Sequence, residues 1–266
     1  NITGSAKNVF KLNRRELKDL FNREYQFFNE LLDERGLTAA GKEIEWASLN
    51  GVKILCSLNS GCSYPGRLLE CIDHPLILYM KGEIDFDDKK IISVVGTRKC
   101  TPYGVSVCNG FVREIALSGK DSVIVSGLAF GIDIEAHKAA LENNIPTVAV
   151  LAAGLDRIYP ASHTGIAHRI TQNGALVSEY PTESESLKIN FLRRNRIIAG
   201  MSDATVVIES GERGGAMITA ALAASYSREL YAVPGRVNDK SSAGCNMLIS
   251  RNMASIFVDT YKFLDS

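Results

Sequence analysis

The feature that most restricts this chain is the regular alternation, after residue 90, of short β-branched runs with helical patterns. Apolar runs at Ile91–Val95, Ser122–Ser126, Thr147–Ala152, Ala175–Ser178, Thr205–Glu209 and Leu230–Val233 predict strands. Between them Val105–Ser118, Asp133–Asn143, Ser162–Gln172, Phe191–Ser202 and Ala216–Ser227 predict helices, several closed by a stop residue such as Gly119, Asn143 or Gly174. Strands that are apolar along their length belong in a sheet covered on both faces, and the alternation makes that sheet largely parallel. Right-handed crossovers then give an α/β fold, an extended Rossmann-like doubly wound sheet over residues 51–266, with ligands expected at the carboxyl ends of its strands. Val52–Cys56 and Pro75–Met80 are two earlier strand candidates, with a short helix around Leu68, Leu69 and Ile72.

Residues 1–50 have another texture. Leu17, Leu20, Phe21, Tyr25, Phe28, Leu31 and Leu32 recur at helical spacing, and Glu34-Arg35-Gly36 reads as a helix stop. They predict a small N-terminal helical region, part of a domain that is incomplete in the residues given. Thirty basic and thirty acidic side chains cancel, so a nucleic-acid ligand would need a local basic patch. Cys56, Cys62, Cys71, Cys100, Cys108 and Cys245 form no C-x-x-C pair, which predicts reduced thiols in a cytoplasmic protein. The absence of a signal pattern or a long apolar run predicts no membrane partner. Four histidines make no metal set with the cysteines, and neither metal nor cofactor is expected.

The strand exits carry the candidate chemistry. Val123–Ser126 runs into Gly127-Leu128-Ala129-Phe130-Gly131 and then a helix, a strand–turn–helix that suits an anion on free backbone N–H groups. Ser126 would add a hydroxyl. Gly96-Thr97-Arg98 offers a guanidinium fork for phosphate oxygens at the preceding exit. A later exit carries Arg157, Tyr159, Ser162 and His163; the arginine could meet phosphate, and Tyr159 or His163 could stack on a base. Arg193, Arg194 and Arg196, with Asn195 among them, form a dense cluster in which Arg193 and Arg196 share a helix face. Gly211, Gly214 and Gly215 lead into a second glycine-rich helix entry. Asp133, Glu179, Glu209 and Asp239 pair with no nucleophile in the sequence, and His137 reads as a helix neighbour of Asp133. No Walker lysine follows either glycine loop. The sum is anion binding without evident chemistry.

These motifs have a family. Ser126–Asp133 with Ala136-His137 and Ala140-Leu141 resembles the DNA processing protein A family, also called DprA or Smf. The resemblance extends through Tyr64-Pro65, Leu78–Gly82, Gly96-Thr97-Arg98, Tyr159-Pro160, Ser178-Glu179, Arg194–Gly200, Ile218–Ala220, Ala232–Gly235 and Gly244–Ile249, in order over roughly residues 50–258. It implies a single-stranded DNA-binding homodimer of natural transformation and recombination that protects incoming strands and helps load the RecA recombinase, without turnover. It implies a DNA groove of Gly96, Thr97, Arg98, Ser126, Gly127, Ala129, Phe130, Gly131 and the Arg157–His163 loop, lined or supported by Arg194, Asn195 and Arg196, with Gly215 at the second helix entry. The dimer surface would fall around Met247–Phe257. Two positions depart from the family pattern: Phe130 replaces a residue that is basic in many relatives, and Arg213-Gly214-Gly215-Ala216 replaces a Ser-Gly-Ser segment. A C-terminal winged-helix-like domain of many relatives is not expected within these residues. The competing reading is a nucleoside monophosphate-binding hydrolase on a related Rossmann-like fold, although its Pro-Gly-Gly-x-Gly-Thr pattern is not matched by Pro234-Gly235-Arg236-Val237.

Overall fold

The computed structural model describes residues 12–21, 34–58 and 63–265. The chain divides into two compact units, residues 1–50 and 51–266.

In the first unit, helix α1 (Arg14–Phe21) starts on a reciprocal cap. The Asn13 side-chain oxygen accepts from the N–H groups of Arg15 and Glu16 at 3.0 Å, while Glu16 Oε2 accepts from the Asn13 N–H at 2.8 Å. Two orphan donors of the first turn are thereby satisfied. Helix α2 spans Glu34–Leu49. The expected stop at Glu34–Gly36 does not end the helix: Ala, Leu, Glu and Lys follow, and their propensity outweighs one glycine. Tyr25, Phe28, Leu31 and Leu32 lie outside the described residues.

The second unit is a nine-stranded sheet in the order β1-β2-β6-β5-β4-β3-β7-β8-β9. The strands are β1 Val52–Cys56, β2 Ile77–Gly82, β3 Lys90–Gly96, β4 Ser122–Ser126, β5 Thr147–Val150, β6 Gly174–Ser178, β7 Ala204–Glu209, β8 Glu229–Ala232 and β9 Ser255–Ile256. Every pair from β6 to β9 is parallel, whereas β1 with β2 and β2 with β6 are antiparallel. Helices α3 (Gly66–Leu69), α4 (Pro102–Leu117), α5 (Ile132–Glu142), α6 (Thr164–Ile170), α7 (Lys188–Gly200), α8 (Gly215–Ser225), α9 (Ala243–Ser250) and α10 (Thr260–Asp265) complete the unit. The α9, β9 and α10 elements went unpredicted, being short and weakly periodic.

Alternation along each strand sorts the core into two layers. Val95, Val125, Val150 and Val207 meet Leu68, Ile197, Ala220 and Leu248 from α3, α7, α8 and α9. On the other face Ile92, Val94, Ile124 and Val206 meet Phe111, Ala136 and Phe263 from α4, α5 and α10. Each buried Val, Leu, Ile or Phe side chain among them contributes about 1.5–3 kcal/mol. The chain travels outward from β3 through β4, β5 and β6, then returns to lay β7 on the other side of β3. That reversal leaves a crevice outside the carboxyl ends of β3 and β7, the place where doubly wound sheets bind ligands. No helix among the described residues is long and apolar enough to cross a membrane.

Candidate nucleic-acid interface

A cavity of about 260 Å³ occupies that crevice, lined among others by Gly96, Thr97, Arg98, Ala129, Asp133, Phe191, Arg194, Asn195, Gly214 and Gly215. Its construction begins at Glu209. This buried residue ends β7, and its carboxylate accepts from the Thr101 N–H at 2.9 Å and the Thr101 hydroxyl at 2.7 Å. Thr101 caps α4, with Pro102 at the first helical position. The Glu209 carbonyl also accepts from the Thr97 N–H at 2.6 Å. Glu209 therefore shapes the Gly96–Thr101 turn and is no free catalytic carboxylate. Arg98 leaves this turn exposed, its guanidinium 5.3 Å from the centre of the Phe191 ring.

The β4–α5 loop packs against the same turn. Gly131 has φ of 77°, and a Cβ there would lie 2.1 Å from the Thr97 carbonyl oxygen. Only glycine permits this approach. Gly127 faces inward too: a Cβ would strike the Arg194 guanidinium at 2.4 Å. Both glycines thus serve internal contacts where the sequence suggested approach to a ligand. Ser126 is also spent internally, donating to the Val94 carbonyl at 2.7 Å from full burial.

The anion on this loop is the chain's own. Asp133 is buried in the first turn of α5 and is held by the backbone of Ala129 and Gly127. Burial raises its pKa, opposed by the positive charges of Arg194 and Arg98 and by those backbone bonds. Arg194, only 3% exposed, is the counter-charge. It donates to the Gly127 carbonyl at 2.6 Å, to the Val150 carbonyl, and through Nε to Asn195 Oδ1 at 3.3 Å. Burial draws its pKa down to about 10. Arg194 lines the cavity but ties β4 to β5 through its carbonyl partners, in a supporting role rather than as a free phosphate ligand.

Two other expectations change. His163 is buried, and its Nδ1 donates to the Leu128 carbonyl at 2.8 Å, so its ring props the loop and offers no free face to a base. Arg196 pairs with Glu179 at the end of β6 and is absent from the cavity wall. The pairing explains why three arginines in sequence do not make three phosphate ligands: one is buried, one is neutralised, and Arg193 is exposed. Arg157, Tyr159, Ser162 and Phe130 are exposed on the adjoining loops. Tyr159 packs on Phe191, ring centres 5.5 Å apart, and Phe130 packs on His163 at 4.8 Å.

The second helix entry is more open. Helix α8 starts at Gly215 with no side-chain cap from Gly214, and a Cβ on Gly215 would meet nothing within 4 Å. The Met217 N–H is taken by the Gly214 carbonyl at 3.1 Å, which leaves the Gly215 and Ala216 N–H groups of the first turn for an anion in the cavity. Phe191 is the residue that sequence reasoning missed; it stands three positions before Arg194 on α7, and that spacing was the available signal. His137 is a core residue, its Nδ1 donating at 2.7 Å to a Thr147 hydroxyl that itself donates to Ile124. Burial pushes its pKa down to about 3. Among the described residues no group of acidic, histidine or cysteine side chains could hold a metal ion.

Fold and site together define a doubly wound α/β protein whose switch-point crevice carries an uncapped helix start, an exposed arginine and clustered aromatic rings. The family model for DNA recombination-mediator protein A matches residues 56–266, and the chain belongs to that family. It is 38% identical over 199 residues to the DNA processing protein DprA of Bacillus subtilis, covering 74% of this chain and 66% of that one. With Smf of Escherichia coli it shares 41% over 189 residues, 71% of this chain and 50% of the relative. A putative DprA of Mycobacterium tuberculosis is 43% identical over 185 residues, 69% and 47% of the two chains. The chain thus spans about half to two thirds of the length of these relatives. DprA of Streptococcus pneumoniae superposes with a TM-score of 0.76 at 30% identity, over 100% of this chain and 95% of that one. DprA of Helicobacter pylori, solved for its single-stranded DNA binding mode, gives 0.72 at 31% identity, over 80% and 94%.

Proposed function

We propose that residues 51–266 bind single-stranded DNA at the switch-point crevice and act, as a homodimer, to deliver it to the RecA recombinase without chemical turnover. The observation that carries this reading is the convergence of Arg98, the open start of α8 and the Phe191 ring on one small cavity. A phosphate takes the first two and an unpaired base the third, a combination that suits a strand with exposed bases. Gly96, Thr97, Ala129, Asn195 and Gly215 line the contact; Phe130, Arg157, Tyr159 and Ser162 extend it; Gly127, Gly131, Ser126, His163 and Arg194 support it from below. The H. pylori relative's single-stranded DNA binding supports the same assignment. The RecA step rests on family membership, and a pull-down with the host recombinase tests it.

The hydrolase reading finds less support. Asp133 is the cavity's carboxylate among the described residues, and it is already held by the loop backbone, with Arg194 offsetting its charge. For the dimer we assign the β9 edge, where Met253, Ile256 and Val258 are exposed beside a two-residue strand paired on one side to β8. Fluorescence anisotropy with a labelled oligonucleotide tests the main reading: tight, salt-sensitive binding of single strand over duplex is expected, and equal affinity for both would sink it. Release of free base from a nucleotide panel would install the hydrolase instead.

A further inference from the structure

The tip of the β4–α5 loop holds an aromatic ring that the fold does not use. Phe130 is 49% exposed, although its neighbours Leu128 and Ile132 are fully buried. Among the described residues its ring contact is His163, at 4.8 Å and an interplanar angle of 71°. That partner is itself fixed, because His163 Nδ1 donates to Leu128, a residue with φ of 55°. On the other side of the ring Gly131 locks the backbone onto Thr97 and Arg98, and the Ile134 N–H bonds the Ala129 carbonyl at 3.1 Å. The loop tip is thus braced from both sides, and half of an apolar ring is held in water next to a residue that lines the cavity.

We infer that Phe130 is a stacking step for an unpaired nucleobase, with His163 as its positioning residue. The inference rests on the single-strand reading above and adds a base subsite beside its phosphate crevice. A phenyl ring has no charge and no hydrogen-bonding group, so this subsite takes any base and reads no sequence. It also separates single strand from duplex, since a paired base is stacked on both faces and is not available. Bracing by His163 removes most of the ordering cost of the ring before the strand arrives.

The test uses anisotropy with a labelled oligothymidylate, an abasic strand of equal length, and Phe130→Ala, Phe130→Trp, His163→Ala and Arg98→Ala proteins. Phe130→Ala should weaken oligothymidylate binding roughly 5- to 100-fold with the salt slope unchanged, and leave the abasic strand unaffected. Phe130→Trp should retain wild-type affinity, and His163→Ala should reproduce the selective loss. Equal losses on both strands, or no loss on oligothymidylate, would overturn the base subsite. Arg98→Ala reports separately on the phosphate crevice: if it weakens both strands while Phe130→Ala is silent, the subsite alone falls. If Arg98→Ala is silent too, the single-strand reading falls with it.

Discussion

The two ends of strand β3 open onto two different cavities. The one at its amino end is the larger, about 710 Å³ against about 260 Å³ at the carboxyl end, and it is lined by Arg67, Glu70, Lys90, Asp203 and Arg228 among others. Its arginines are nevertheless committed. Arg67 pairs with Asp203, whose other oxygen accepts from the Ile91 N–H at 2.7 Å. Arg228 pairs with Glu70 at 2.7 Å and donates to the Arg67 carbonyl at 2.6 Å, and its guanidinium holds the Glu70 carboxyl below the usual carboxylate range. At the carboxyl end charge is balanced one layer down, where the buried Asp133 and Arg194 offset each other electrostatically. Above them Arg98 is in no ion pair among the described residues, and α8 begins uncapped. Volume does not distinguish the proposed binding site; unspent donors do.

This contrast fails if the buried Arg194 at the carboxyl end can be removed as cheaply as the half-exposed Arg67 at the amino end. Arg194→Met should cost about 3–5 kcal/mol in urea denaturation, because two buried carbonyls lose their donor and the buried Asp133 loses its nearby positive charge. Arg67→Ala should cost at most about 1 kcal/mol, its side chain being half in solvent and Asp203 keeping its backbone bond. Next in size is Gly131→Ala, which forces a side chain into the left-handed region against Thr97; a loss of about 3 kcal/mol is expected, read as a drop in Tm. The ends differ in their response to pH as well. His137 has a folded pKa of about 3, below its ordinary 6.5, so the unfolded chain takes the proton first. It supports the fold above pH 6.5, and that support is lost as the pH falls toward 3, with a slope of up to about 1.4 kcal/mol per pH unit. His137→Leu should flatten the acid limb of stability over that window; an unchanged limb would remove His137 from the buried network.

The sheet was legible because continuous apolar runs and helical patterns with stop residues alternate along the chain, and each central strand lies within a residue or two of its sequence position. β2 and β6 were harder, since nothing in an apolar run such as Leu78–Met80 states its direction. The site was legible as a place but less so as a set of contacts. Gly-rich turns and arginines mark the carboxyl ends, yet a hydroxyl such as Ser126 or a guanidinium such as Arg194 gives no sign of whether it faces a ligand or a carbonyl. That depends on neighbours 32 and 67 residues away. Asp133 shows the same limit. Read alone it is an available acid, while in the fold it fills the loop that glycine spacing had assigned to phosphate.

The finest probe of the contrast leaves the fold untouched. Arg98 is exposed, and its ring contact with Phe191 contributes on the order of 0.5–1 kcal/mol, so Arg98→Ala should unfold at a nearly unchanged denaturant concentration. If Arg98 is the unspent cation, the same variant should bind every single-stranded sequence about tenfold more weakly. The salt slope should shrink by roughly 0.7, the share of one phosphate on a single strand. Arg67→Ala at the amino end should leave affinity and slope where they were, because its charge is already matched by Asp203. Titrations of both variants between low and moderate salt make the comparison direct. A slope that moves with Arg67 rather than Arg98 would relocate the strand to the larger cavity, and with it the meaning of every paired and unpaired arginine in the sheet.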